Sequence, residues 1–153
     1  MQQIPLVGSL SVAGYVQAAL AASKLRLFIS TYAPSPTETL AEVVAAEATF
    51  SGYTAGGYPL TTFGAPTNGP IGGASTPSPQ IDVAYVPPES DPVSNTLGGW
   101  FIVDTGGNLI ADGTFNAPIP MTQLGNGFPI TIALVAGTQN AVVQCWVNGL
   151  LQN

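Results

Sequence analysis

From residue 80 onward, apolar and polar positions alternate. Ile81, Val83 and Tyr85 stand against Asp82 and Ala84, and Pro87-Pro88 ends the run. A period of two puts successive side chains on opposite faces, so this pattern predicts a half-buried strand over Gln80–Val86. Gly98–Val103 and Asn108–Phe115 form the strongest hairpin signal, joined by Asp104-Thr105-Gly106-Gly107. In its return strand Leu109, Ala111 and Phe115 are expected on one face, with Asn108, Asp112 and Thr114 toward water. Phe128, Ile130, Ile132 and Leu134 alternate in the next strand. Ala141–Val147 is the last, closed by Asn148-Gly149.

The first half is less regular. Met1–Ser11 is uncharged, contains Pro5 and Gly8, and reads as an extended arm. Val12–Ala22 suits a short helix that Gly14 weakens. Leu25, Leu27 and Ile29 share one face of a strand. Ser35-Pro36-Thr37-Glu38 has the form of a capping box, with Ser35 as N-cap, Pro36 at the first helical position and Glu38 reaching back. Leu40, Val43 and Val44 then give the apolar stripe of a short helix ending near Glu47. Ala48–Tyr53 is expected to be a strand. Tyr53–Pro79 is dense in Gly and Pro and carries no charge, which predicts turns with only short strands between them. Short strands with Gly/Pro turns point to a mainly β fold: an antiparallel β-sandwich, jelly-roll-like, or an open barrel, with one or two short helices near the N-terminus. The division expected is an arm and short helix over 1–24 and a single β-rich domain over 25–153. A chain of 153 residues needs no disulfide or metal to bury a core.

Composition narrows the chemistry. There is no histidine, one cysteine, and only two basic residues, Lys24 and Arg26. The usual bases and nucleophiles of neutral-pH catalysis are nearly missing, so no catalytic residue is assigned and an enzyme is not expected. Two cations are too few for a phosphate-binding face, which argues against nucleic acid. Zinc would need more Cys or His than the chain has. Asp104–Asn108 with Asp112 lacks the ligand spacing of a calcium loop and reads as a hairpin turn. Gly72-Gly73 and Gly106-Gly107 lack the strand–turn–helix setting of a nucleotide loop, so no cofactor is assigned. Glu38 and Glu42 read as a solvated helix face. Cys145, in an apolar strand, reads as a buried small hydrophobe. Val12–Ala22 runs into Ala19–Ser23, which has the look of a signal cleavage site. No basic residue precedes it, and the run is too short to span a bilayer; a buried helix or docking arm is expected, with no membrane association. Tyr85, Trp100 and Phe101 could make a sugar-stacking platform, although core packing fits their apolar surroundings better; Trp146 reads as core or interface. With charged residues at 7% and hydrophobic residues at 46%, little charge keeps copies apart, which suggests a surface covered by neighbours.

Several segments occur in an order that resembles a group of small proteins encoded in tailed-phage genomes. These are Leu25-Arg26-Leu27-Phe28, Tyr32-Ala33-Pro34-Ser35-Pro36-Thr37, Leu40-Ala41-Glu42 and Glu47-Ala48-Thr49-Phe50-Ser51-Gly52-Tyr53. Gly98–Asp104, Leu109-Ile110-Ala111 and Phe115-Asn116-Ala117-Pro118 follow. The resemblance implies a virion structural protein, with a capsid decoration or cement role preferred. Such a protein would be a homotrimer on the capsid surface, bound to the major capsid protein. The resemblance covers about residues 25–136. The chain departs from the pattern by about 24 residues before the first strand and a neutral apolar tail after Gly137, additions that would suit arms gripping neighbours. Ile4, Pro5, Leu6, Val7 and Leu10 are the candidate partner-binding residues of the first arm. The alternative is a tail- or fibre-associated adhesion or carbohydrate-binding β-domain, which should expose an aromatic-lined groove. A secreted β-sandwich binding module or an enzyme is the third class.

Overall fold

A computed structural model describes residues 18, 20–61, 63, 67–68, 74–77, 80–136 and 141–153. Among the described residues the elements in chain order begin with β1 (Lys24–Ile29), α1 (Leu40–Ala45), β2 (Tyr58–Pro59), β3 (Thr67–Asn68), β4 (Ala74–Pro77) and β5 (Ile81–Ala84). Then come β6 (Asn95–Val103), β7 (Leu109–Met121), β8 (Gly127–Ala136), β9 (Ala141–Val147) and β10 (Leu150–Leu151). They form two antiparallel sheets. The first has the order β2-β1-β6-β7. In the second, β10-β9-β8-β4-β3, strand β5 also pairs with β8. Strands β4 and β5 pair with successive stretches of β8, Ala74–Pro77 with Ala136–Ala133 and Ile81–Ala84 with Ile130–Gly127. The register sum differs by one between them, so they run along β8 like one strand with an offset. The fold is the antiparallel β-sandwich that the alternating pattern predicts.

The core lies between the sheets. Leu25, Leu27, Leu97, Trp100, Ile102, Phe115 and Met121 come from the first sheet; Val83, Phe128, Ile130, Ile132, Cys145 and Val147 come from the second. The rings of Phe115 and Phe128 meet edge to face across it, 5.8 Å apart. Each such side chain contributes about 1.5–3 kcal/mol by leaving water. Leu20 is fully buried in the same core, and Ser23 is buried beside it, its N–H donating to the Leu20 carbonyl. Ala18, Leu20 and Ala21 are helical; Val12–Gln17 and Ala19 lie outside the described residues, as does the arm with Ile4, Pro5, Leu6, Val7 and Leu10.

A second, smaller cluster covers the outer face of the first sheet. Phe28, Phe101 and Val103 point outward and are buried by Val43, with Tyr32, Leu40, Val44, Ala46 and Leu109 packed around them. Alternation along β1 and β6 therefore feeds two cores, one per face. This also corrects the expected face of Leu109. Register shifts where Val103 meets Leu109 after Ile102 meets Ala111. That irregularity turns Leu109 toward α1, while Ala111 and Phe115 keep to the sandwich core.

The helix starts later than Ser35. Its N-cap is Thr39, whose hydroxyl accepts from the Glu42 N–H while the Glu42 carboxylate accepts from the Thr39 N–H. Ser35–Glu38 instead closes a hydrogen-bonded turn: the Glu38 N–H donates to the Ser35 carbonyl, and the Glu38 carboxylate accepts from the Ser35 N–H at 3.1 Å. Two Ser/Thr-x-x-Glu boxes stand in tandem, and only the second leads directly into Leu40, Val43 and Val44. Burial of that stripe selects it. The expected strand over Ala48–Tyr53 does not form, and a single bridge, Phe28 with Glu47, stands just before it. Ala48 still donates to the Leu27 carbonyl, but the chain turns at Ser51-Gly52. There Gly52 has φ +99° and lies so close to β5 that a Cβ would stand 2.7 Å from the Ala84 carbonyl oxygen.

Two further glycines accommodate neighbouring rings. Gly99 faces Phe28 across the β1–β6 pair, and Gly113 faces Trp100 across the β6–β7 pair. A Cβ at Gly99 would overlap the Phe28 ring and the Gly113 carbonyl; one at Gly113 would stand 2.8 Å from the Trp100 ring. Each ring lies where its partner lacks a side chain.

Two substitutions check this account. Thr39→Ala should lower stability by about 0.5–2 kcal/mol in denaturant melts. Ser35→Ala should cost less, and equal losses would restore Ser35 as the cap. Gly99→Ala should cost more than about 2 kcal/mol, because backbone and a packed ring must both move; a parent-like melt would refute the contact.

Candidate functional site

The densest polar cluster sits where β1, the end of α1 and the Tyr53–Gly57 turn converge. Arg26 pairs with Glu47 through two guanidinium nitrogens, Nε to Oε1 at 2.9 Å and Nη2 to Oε2. Glu47 Oε1 also accepts from the Tyr53 hydroxyl at 2.7 Å and the Gly56 N–H at 2.9 Å. The Tyr53 oxygen in turn accepts from the Leu27 N–H. The Arg26 guanidinium lies over the Phe101 ring, 5.2 Å from its centroid. Burial alone would raise the Glu47 pKa, but Arg26, Tyr53 and the Gly56 N–H together hold it below the usual carboxylate range. The Arg26 pKa is raised, chiefly by its hydrogen bond to Glu47. Burial and the bond to Glu47 push the Tyr53 hydroxyl up. The cluster is saturated by its own members, so its chemistry is cohesion.

A second polar group lies on the outer side of β7. Tyr32 donates to Glu38, which pushes the phenol up to about 12. Asp112 stands opposite Pro34, Ser35 and Pro36 around a shallow hollow of about 310 Å³. Its pKa is raised, first by partial desolvation and then by the Glu38 charge. Among the described residues, no three His, Cys, Asp or Glu side chains converge as metal ligands would. Asp104 is a turn residue: it accepts from the N–H and side-chain amide of Asn108, which hold its pKa down. Cys145 is buried, and burial pushes its thiol up to about 12, far from a reactive thiolate.

The aromatic residues singled out for sugar stacking do not form a platform. Trp100 is 3% exposed and Tyr85 4%, both in the sandwich core, while Phe101 is fully buried beneath α1. Trp146 is half-buried, paired with Thr131 and Leu151 on β8 and β10.

What the surface offers instead is apolar. Among the described residues, the large hydrophobics left in water are Val86, Val93, Ile110, Leu124, Leu150 and Leu151. They fall into two places. Val86 and Leu124 line an open groove of about 450 Å³ between Asp82–Val86 and Leu124–Pro129. Val93 is adjacent, since the Val86 N–H donates to the Ser51 carbonyl and the Val93 N–H to the Ser51 hydroxyl. The remaining three are carried by β7 and β10, which meet where the Asn116 amide donates to the Leu151 carbonyl at 2.8 Å.

Leu124 is 78% exposed, at the tip of the β7–β8 turn. That turn is pinned from within. Asn126 Oδ1 accepts from the Thr122 and Gln123 N–H groups at 3.0 Å each, and the Asn126 N–H donates to the Gln123 carbonyl. Gly125, at φ +97°, supplies the left-handed step. The Tyr85 N–H donates to the Asn126 carbonyl and ties the turn to the groove wall. An apolar side chain on a rigid tip can be buried by a partner with little ordering cost. Sequence reasoning passed over Leu124 because a lone leucine in a Gly/Asn turn has no period. The Thr122-x-x-x-Asn126-Gly127 setting was the available signal. No protein-family model, curated protein or solved structure matches this chain.

Two measurements test the ion pair. Arg26→Ala strands the Glu47 carboxylate among packed side chains. It should cost on the order of 2 kcal/mol, between exposed and fully buried pairs. Glu47 has a folded pKa below its unfolded value, so its contribution is intact above pH 4.5 and lost as pH falls through the depressed folded pKa. The acid limb of the stability curve should flatten in Glu47→Gln; a limb identical to the parent's would remove Glu47 as its cause.

Proposed function

We propose that this chain is a structural component of a virion, a capsid decoration or cement protein that binds the major capsid protein on the shell surface. The observation that carries this reading is the Val86–Val93–Leu124 patch. Val86 and Leu124 stand in water on an open groove with Val93 exposed beside them, and Leu124 sits on a turn that four hydrogen bonds hold in place. A single exposed leucine needs no explanation, but a rigid apolar cluster is the form of a contact surface. The charge supply supports the same reading. Of the two basic side chains, Arg26 is committed to Glu47, which leaves Lys24 as the only other cation of the chain. The surface has little to attract nucleic acid and little to repel a neighbouring protein. The resemblance of Leu25–Phe28, Glu47–Tyr53 and Gly98–Asp104 to small tailed-phage proteins gives the partner its class. The homotrimer, and an arm carrying Ile4, Pro5, Leu6, Val7 and Leu10 laid on a neighbour, belong to this proposal.

The adhesion reading keeps less support, since Tyr85, Trp100 and Phe101 are buried and do not form a stacking platform. The test is the particle itself. Washed particles from the source phage should contain this chain in many copies, and electron microscopy should place its sandwich on the shell exterior. Density confined to the tail would favour the adhesion reading, and absence from the particle would end both. Leu124→Asp should change stability by less than about 0.5 kcal/mol, because the side chain is already in water, yet reduce shell occupancy at least severalfold. Undiminished occupancy would remove the groove from the interface.

A further inference from the structure

The β7 edge is capped at Asn116 by a short piece of the same chain. In the first sheet β7 is the outermost strand, thirteen residues long. Long edge strands expose unpaired N–H and C=O groups and invite pairing with another chain. Pro118 and Pro120 blunt one end of β7, where they cannot donate. Over Leu109–Asn116 the only charge is Asp112, and Ile110 is exposed. Leu150–Asn153 meets this stretch at Asn116 and Gly113. The Asn116 N–H donates to Gln152 Oε1 at 2.9 Å, and the Asn116 amide donates to the Leu151 carbonyl at 2.8 Å. The Asn153 carbonyl oxygen sits at Gly113, in the space a Cβ would take, a space that the Trp100 ring also borders.

The covering segment is weakly held on its own sheet. Strand β10 makes two register pairs with β9, Leu150 with Val147 and Leu151 with Trp146, and the Gln152 N–H donates to the Cys145 carbonyl. Leu150 is 66% exposed and Leu151 44%, so these two side chains bury little apolar surface of their own. The Trp100 indole N–H beneath it is buried with no acceptor, so the closed arrangement leaves a donor unsatisfied. The segment turns back through Asn148 and Gly149, both at positive φ, a two-residue hairpin loop able to act as hinge.

We propose that Leu150–Asn153 is a displaceable guard on the β7 edge, and that the surface it closes accepts the β7 strand of a second copy of this chain. Antiparallel pairing of β7 with β7 uses the same edge on both copies and is self-complementary about a two-fold axis. One charge in eight residues sets up little repulsion between the copies. The inference does not rest on a virion role and concerns the purified chain alone.

The experiment compares the parent with two variants, one ending at Gly149 and one carrying Asn116→Ala with Gln152→Ala, by sedimentation over a range of concentrations. Removing two hydrogen bonds from the closed form should move self-association to concentrations about ten- to a hundredfold lower. Adding Ile110→Lys, a charge on the opened edge, should return each variant to parent behaviour. Variants that melt cooperatively yet associate no more than the parent would overturn the proposal. So would association that persists with Ile110→Lys, because the contact would then lie elsewhere. Amide exchange on the parent gives a readout free of any folding defect in the variants. The Asn116 and Gln152 amides should exchange much faster than the Trp100 amide at the centre of its sheet. Equal protection of all three would show that the segment does not leave.

Discussion

The Arg26–Glu47 pair is the constraint around which the first sheet is organised. Strand β1 is central to that sheet, and its outward face must be covered by a helix of only six residues. Six residues form no stable helix alone. Glu47, just past the helix end, anchors it to β1 through Arg26 and to the following turn through Tyr53 and Gly56. The helix can then hold Val43 over Phe28 and Phe101. A half-buried ion pair is weak evidence of net stabilisation when compared with an apolar substitute. Its value here is positional: it fixes where α1 ends and where the Tyr53 turn begins.

The same economy governs the two cores. Strand alternation sends Leu25 and Leu27 inward and Phe28 outward, so one strand supplies both clusters. Large rings fit between closely spaced strands because their cross-strand partners, Gly99 and Gly113, have no side chain. The result is a sandwich that buries Phe28, Phe50, Trp100, Phe101, Phe115 and Phe128, while several large aliphatic side chains stand in water outside. That distribution bears on function more directly than the Arg26–Glu47 cluster, whose members satisfy one another.

The exposed hydrophobics then become interpretable. The Leu124 tip and the β7–β10 edge are at separate places, and they are built differently. The tip is locked by Asn126 and presents a fixed apolar contact. The edge is covered by a segment with few attachments and presents backbone only when that segment leaves. A rigid contact suits a preformed partner surface, while a covered edge limits pairing between copies until a partner competes for it.

The strands of the second half were legible in sequence because burial of one face imposes a period of two, and Ile81–Ala84 and Ala141–Val147 fall where the pattern puts them. The sandwich class followed from the number of such strands and their Gly/Pro punctuation, and burial of Cys145 and Trp100 followed from apolar neighbours. Local signals could not decide between two consecutive capping boxes; packing of Val43 on Phe28 and Phe101 chose Thr39 over Ser35. Nor could they place Leu109, because a register shift against Val103 is a property of a strand pair. Arg26 and Glu47 are 21 residues apart, and Asn116 and Gln152 36 apart. Contacts at such separations depend on which strands become neighbours. The sequence by itself determined what each residue could bury or expose. The tertiary structure decided which residues meet, because strand order and register are set by the whole sheet at once.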